Sequence, residues 1–315
     1  MKYRVRTNSL GFKDREIRDI PMVSDGHRIL FMGDSFAEGV GYDWEHTFVG
    51  IIDSALALKG IEVLNAAASG YSPIIYWRKT AYLIEDVGLK FDEMIVFPDV
   101  SDAIDETRRF LDDSGRVSEF SSKKTAAKGD NIAFSNDVEE IDHHILSQEF
   151  SKKLKEWFRY NTIFSFAALK LGHRWFNIIR GEKGYTINRA ATYWTVDSQK
   201  YPEIVEIGLP RISSYMDRLS ELLLDHNIKL SVVVFPNPDQ VYYADSNSVW
   251  VSFWQDWCQQ HQVEFINCFS SLIRGQTKED RERILDTYYI KGDFHFNENG
   301  HRLIADEFLR HYTGD

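Results

Sequence analysis

The stretch Ile29-Leu30-Phe31-Met32-Gly33-Asp34-Ser35-Phe36-Ala37-Glu38-Gly39 constrains this chain most. Four apolar residues run directly into Gly-Asp-Ser and a turn of small residues. That pattern reads as a buried strand ending in a sharp corner. Similar runs recur at 61–65, 94–97, 230–235 and 263–266. Helical spacing lies between and after them. At 47–59 the residues Phe48, Ile51, Ile52, Ala55 and Leu58 form one stripe, closed by Gly60. Further helical patterns cover 74–87, 204–226, 248–260, 278–285 and 298–312. Strands alternating with helices at these lengths predict an α/β fold with a doubly wound parallel sheet. The wholly apolar run 94–97 is expected at its centre.

Two regions depart from the rhythm. Residues 1–27 are polar and turn-rich and are expected to wrap the domain edge. From about 104 to 202 no clear strand–helix unit is legible. Within it, 112–142 is polar and charged and reads as a surface excursion. Residues 145–180 are aromatic and basic, with Trp157, Phe158, Trp175 and Phe176 beside Arg159, Lys170 and Arg174. They read as a helical insertion packed on the sheet. A lid, or a membrane-surface or protein contact through 154–180, is the alternative. The chain is therefore read as a single domain, 1–315, with an insertion at 105–203 between the third strand and the next helix.

A net charge of −11 argues against a nucleic-acid-binding surface, which needs clustered Lys and Arg. No run of about 18 apolar residues predicts a transmembrane span. The N-terminus lacks the apolar core of a signal peptide. The expected compartment is cytoplasmic by default, or extracytoplasmic if a longer precursor exists. Cys258 and Cys268, the two cysteines, are expected to be free and buried. No Cys/His spacing resembles a zinc site, so neither metal nor cofactor is expected. The adjacent pair His143-His144 reads as solvated.

In an α/β sheet, ligands bind outside the carboxyl ends of the strands. Ser35 stands at such an end, so its hydroxyl is a candidate nucleophile. A serine needs a base, and the base needs a group to orient it. Asp293-Phe294-His295 offers both, just ahead of the last helix. A turn there folds the Asp293 carboxylate onto the ring nitrogen facing away from Ser35. Asp34 is expected to anchor the corner, and Asn65 to tie the following loop to it. Glu38 is expected to be solvated. Gln240 and Tyr242, past the fourth strand, are candidate substrate-binding residues or parts of a plain rigid loop.

Gly33-Asp34-Ser35, a loop glycine, a strand-end polar motif, and Asp and His before the last helix together resemble the SGNH (GDSL) hydrolase superfamily. The resemblance covers about 28–102 and 204–312. It implies a flavodoxin-like α/β/α sandwich in which Ser35 attacks an ester carbonyl, His295 is the general base and Asp293 orients it. It also implies an oxyanion hole made by the N–H groups of Ser35 and Gly70 and a side chain at position 101. Many members place the aspartate three residues before the histidine, where this chain has Gly292. The shorter Asp-x-His form, and Phe296-Asn297-Glu298-Asn299-Gly300-His301 after it, resemble the branch of bacterial exopolysaccharide O-acetyltransferases and esterases. The third motif would read Gly-x-Asn-Asp, and this chain has Asp99-Val100-Ser101-Asp102. Ser101 thus becomes the candidate side-chain oxyanion donor, with Asp102 turned away to cap backbone N–H groups. The resemblance implies a serine esterase or O-acyltransferase acting on a carbohydrate or small-molecule acyl ester. A catalytically weak carbohydrate-binding or assembly protein keeping the same fold is the alternative.

Overall fold

In the computed structural model of the chain, the described residues are 3–112, 115–119, 190–274 and 277–314. The expectations for 112–142 and for the 145–180 stretch, and His143-His144, therefore lie largely or wholly outside the described residues.

Five parallel strands form the central sheet: β1 (Arg28–Gly33), β2 (Glu62–Asn65), β3 (Glu93–Phe97), and, after the short antiparallel hairpin β4 (Arg109–Leu111) and β5 (Val117–Glu119), β6 (Lys229–Val234) and β7 (Glu264–Asn267). Their order is β2-β1-β3-β6-β7, which puts β3 at the centre, as its apolar run predicts. Phe31 pairs with Asn65 on one side and Ile95 on the other, fixing the register around β1.

Both faces of the sheet are covered, so its strands are apolar on both sides. Leu30, Met32, Met94, Val96, Val232 and Val234 pack into one core. Ile29, Phe31, Ile95, Phe97 and Val233 pack into the other. This is the two-residue alternation of a strand buried on both faces. The first core is closed by the helices Pro73–Ala81, Leu209–Asp225 and Val249–His261, with Tyr76, Met216, Trp250 and Trp254 buried. The second is closed by Phe48–Ala57 and Glu298–Thr313, through Phe48, Ile52, Ile304 and Phe308. The N-terminal segment lies at the β2 edge, where Lys13 bridges to Asn65. Cys258 and Cys268 are free and buried.

Two predicted helices are modified. The 74–87 pattern becomes an α-helix, Pro73–Ala81, followed by a π turn, Tyr82–Asp86. The 204–226 pattern opens with a π turn, Ile204–Gly208, before the α-helix begins. The region with no legible unit contains a helix, Asp102–Arg108. Its buried residues are Asp102, Ala103 and Glu106, so it has no apolar stripe to read. Glu106 is fully buried because its carboxylate serves the next helix over: it accepts from Ser72 Oγ at 2.6 Å and from Ile74 N at 3.0 Å.

The order β2-β1-β3 reverses the direction of strand addition beside β1. The carboxyl ends of β1 and β3 therefore flank the crevice at a topological switch point. Gly33 ends β1 there. A Cβ at that position would stand 2.8 Å from both Ala37 Cβ and the Phe97 carbonyl, so only glycine lets the corner close against β3.

Candidate active site

Ser35 opens a one-turn helix, Ser35–Glu38, directly after β1. Asp34 caps that turn, its Oδ1 accepting from Phe36 N at 2.9 Å, and Gly39 ends it in the left-handed region. Asp34 is thus the anchor of the corner. Asn65 reaches across from β2: its Nδ2 donates to Ala37 O at 2.8 Å and its Oδ1 accepts from Ala67 N at 3.2 Å. The Ser35 corner and the loop after β2 are therefore locked to each other.

Asp293 and His295 sit in the loop between the helices Lys278–Tyr288 and Glu298–Thr313. A Tyr289–Phe296 bridge pinches this loop, and Ile290 N donates to His295 O at 2.9 Å. Asn297 fastens its far end, accepting from Asn299 N and Gly300 N and donating to Thr287 O. Inside the loop Asp293 Oδ1 accepts from Phe294 N at 2.7 Å and His295 N at 3.2 Å, an Asx turn. The same oxygen lies 2.7 Å from His295 Nδ1. At the other side of the ring, Nε2 lies 2.7 Å from Ser35 Oγ. The structure thus brings Ser35, His295 and Asp293 into one line.

Aromatic rings fix the imidazole plane. Phe294 stacks on His295 at 4.2 Å, and Phe36, beside Ser35, packs on it at 5.0 Å. Burial would raise the Asp293 carboxyl, but the His295 hydrogen bond and charge outweigh it and hold Asp293 below the usual range. Ser35 itself is 6% exposed.

Beneath Ser35 lies a set of buried carboxylates. Asp34 Oδ2 is 3.3 Å from Ser35 Oγ. Burial, then the Asp99 charge, pushes Asp34 well above the usual carboxylate range. Asp102 is raised in the same way by burial and by Asp34 and Asp99. Its Oδ2 accepts from Tyr76 Oη at 2.9 Å and from Asp99 N at 3.2 Å, so it does turn away to satisfy a backbone N–H. Asp99 accepts from Ser101 N at 2.8 Å, Ser101 Oγ and Asn237 Nδ2 at 2.6 Å. Among the described residues, no group of three or more His, Cys, Asp or Glu is arranged to hold a metal ion.

Three residues named from the sequence have partners of their own. Ser101 Oγ donates to Asp99 Oδ1. Gln240 is fully buried. It caps the short helix Pro238–Tyr242, accepting from Asn237 N at 2.7 Å and donating to Ser248 Oγ. Glu38 is not simply solvated: it accepts from Ser69 N at 2.6 Å. Tyr242 is half-buried. Its ring lies 5.1 Å from that of Tyr243 and 5.7 Å from Lys278 Nζ, and its carbonyl accepts from Arg281.

Gly70, in the loop after β2, is exposed with φ +78°, a left-handed conformation that favours glycine. The loop's other N–H groups are used. Ala66 donates to Phe31 O, Ala67 to Asn65 Oδ1, Ala68 to Gly33 O, Ser69 to Glu38 and Tyr71 to Ala68 O. Among the described residues, the N–H of Gly70 is the one from 66 to 71 left uncommitted.

Sequence reasoning missed Trp194. Its indole N–H donates to Val100 O at 2.9 Å, beside Asp99 and Ser101, and its side chain is fully buried. A lone tryptophan in a stretch without period gave no signal of this.

No family model matches the chain, and no curated protein does. Solved structures similar to it include TesA, at 8% identity and TM-score 0.45, covering 90% of this chain and 96% of that one. The acetyl xylan esterase AlAXEase is similar at 13% identity and TM-score 0.45, covering 90% and 98%. A catalytic mutant of Axe2, an acetylxylan esterase from Geobacillus stearothermophilus, is similar at 12% identity and TM-score 0.45, covering 92% and 95%. Likeness of this extent says nothing of the reaction.

Proposed function

We propose that this chain is a serine-dependent acyl-ester hydrolase or O-acyltransferase. One observation carries the reading: the Ser35–His295–Asp293 chain, with 2.7 Å at each link. Asp293 holds the proton of the imidazole on Nδ1, which leaves Nε2 as an acceptor facing Ser35. As Ser35 Oγ bonds to the ester carbonyl carbon, its proton passes to Nε2. The carbonyl oxygen becomes an oxyanion, served by the N–H groups of Ser35 and Gly70. Collapse breaks the bond to the leaving alkoxide, which takes the proton from His295. The acyl-Ser35 ester then passes to water in an esterase or to a hydroxyl in a transferase. The substrate read from the Asp-x-His loop and its resemblance is an O-acetyl group on a carbohydrate.

Intact-mass measurement after incubation with acetyl donors tests this directly. The expected result is an acetylated Ser35, with Ser35→Ala losing the adduct, short-chain nitrophenyl ester turnover and labelling by a serine-directed phosphonate. Turnover and labelling that survive in Ser35→Ala would overturn the assignment.

The hydroxyl proton of Ser101, held by Asp99, favours a second reading. With two backbone donors and no side-chain donor, the chain would be a catalytically weak carbohydrate-binding or polysaccharide-assembly protein. That reading expects polysaccharide binding equal in wild type and Ser35→Ala, with no acyl adduct in either.

A further inference from the structure

The loop 66–71 is held at its crown and at both feet by two charged side chains with no part in the line of Ser35, His295 and Asp293. Glu38 sits on the nucleophile's own helical turn, three residues after Ser35. Its carboxylate takes the Ser69 N–H at 2.6 Å, a charge-assisted bond one residue before Gly70. Lys79 comes from the Pro73–Ala81 helix. Its Nζ donates to Ala66 O at 2.9 Å and to Tyr71 Oη at 3.2 Å, so one ammonium ties the two ends of the loop. It also lies 4.7 Å over the Tyr71 ring and 5.0 Å over Phe12.

We infer that Glu38 and Lys79 are positioning residues that brace the 66–71 loop and aim the Gly70 N–H at the oxyanion, with the Lys79 ammonium as a protonation-dependent half of the brace. The inference rests on the acyl-transfer reading above. Glu38 fixes the backbone before Gly70 against the turn that carries Ser35, so the two oxyanion N–H groups share one frame. With Ser101 occupied by Asp99, the geometry of those two groups matters more.

The groups facing Lys79 are the Glu38 carboxylate from the nucleophile turn, the Tyr71 hydroxyl from the loop and the Phe12 ring from the N-terminal segment. Lys13 approaches Glu38 independently, donating to Gly39 O and Tyr42 O, and burial brings its amine to about 8. Burial likewise lowers the Lys79 amine to about 8, against the pull of Glu38. Above that pH, neutral Lys79 loses its charge-assisted bonds and its attraction to both rings.

Two readouts on the full chain test this. In glycine-¹³Cα-labelled protein, the Gly70 resonance is identified by its loss in Gly70→Ala. It is expected to move with a midpoint near pH 8 in wild type and in Lys13→Met, and to stay flat in Lys79→Met. With a short-chain nitrophenyl ester, wild-type kcat is expected to fall above pH 8 with KM unchanged. Lys79→Met and Glu38→Gln should lower kcat at pH 7 by roughly tenfold or more, below the 10²–10³ of a lost oxyanion donor. Lys79→Arg should restore it and abolish the limb at pH 8. A Gly70 resonance that does not titrate, or kcat within twofold of wild type in both variants, overturns the brace. A titrating Gly70 in a wild type that neither turns over ester nor reacts with the phosphonate instead sinks the acyl-transfer reading, and the oxyanion target with it.

Discussion

The hydroxyl of Ser101 gives its one proton to the carboxylate of Asp99. Ser101→Ala should therefore change turnover of a small ester by less than about threefold, where loss of an oxyanion donor costs roughly 10²–10³. The effect should appear in stability instead. Asp99 keeps Ser101 N and Asn237 but loses one donor, a cost of about 1 kcal/mol in urea denaturation. A hundredfold loss of kcat would show that the hydroxyl swings to the substrate.

Asp293→Asn keeps the shape of the turn but puts an amide where His295 Nδ1 meets a carboxylate. The imidazole then loses its tautomer, and kcat should fall by about 10⁴. The pH sign is also fixed. Asp293 is held below the ordinary range, so its contribution is full above about pH 4 and is lost as pH falls through its lowered value. Unfolding profiles of wild type and variant should run parallel at neutral pH and converge only in acid.

Asp102 carries the opposite sign. Burial and the charges of Asp34 and Asp99 raise it, so the folded chain holds a proton that the unfolded chain has released. Stability is then lost as pH rises above the unfolded value of about 4. Asp102→Asn keeps an acceptor for Tyr76 and the Asp99 N–H and removes the group that ionises on unfolding. It should raise the urea midpoint, and more at pH 8 than at pH 5. A gain that is equal at both values would exclude the electrostatic cause.

His301 adds an acid-side dependence. It sits on the buried face of the Glu298–Thr313 helix, its Nδ1 accepting from Phe48 N at 3.2 Å. Burial, then the charges of Lys13 and His295, lowers it from 6.5 to about 3. Between those values the unfolded chain takes the proton and the folded chain does not. Stability should fall as pH drops through that window, by up to about 1.4 kcal/mol per unit. His301→Gln should be the less stable form at pH 8, and the gap should close toward pH 4.

What was legible in the sequence follows from the physics of each segment. The five strands are apolar runs ending in turn residues, and the sheet buries them on both faces, so pattern and structure coincide. Asp293 and His295 were legible because two polar residues at close spacing precede a well-marked helix. The Asp102–Arg108 helix was not, since its buried face is acidic: Glu106 faces inward to serve Ser72 and Ile74. Glu38 carried no signal either. Its partner is a backbone N–H 31 residues away, and backbone partners leave no trace in side-chain pattern. The partner of the Ser101 hydroxyl was not legible, because that depends on Asp99 being buried beside it.

Ser35 and His295 are separated by 260 positions, and the base stands just ahead of the helix that closes the second core. During synthesis Ser35 leaves the ribosome long before His295 exists. On the proposed reading, the growing chain gains its Ser35–His295 pair only after the loop ahead of the Glu298–Thr313 helix has been made. On that reading, a chain clipped ahead of that helix would keep the whole Ser35 corner and be inert toward esters.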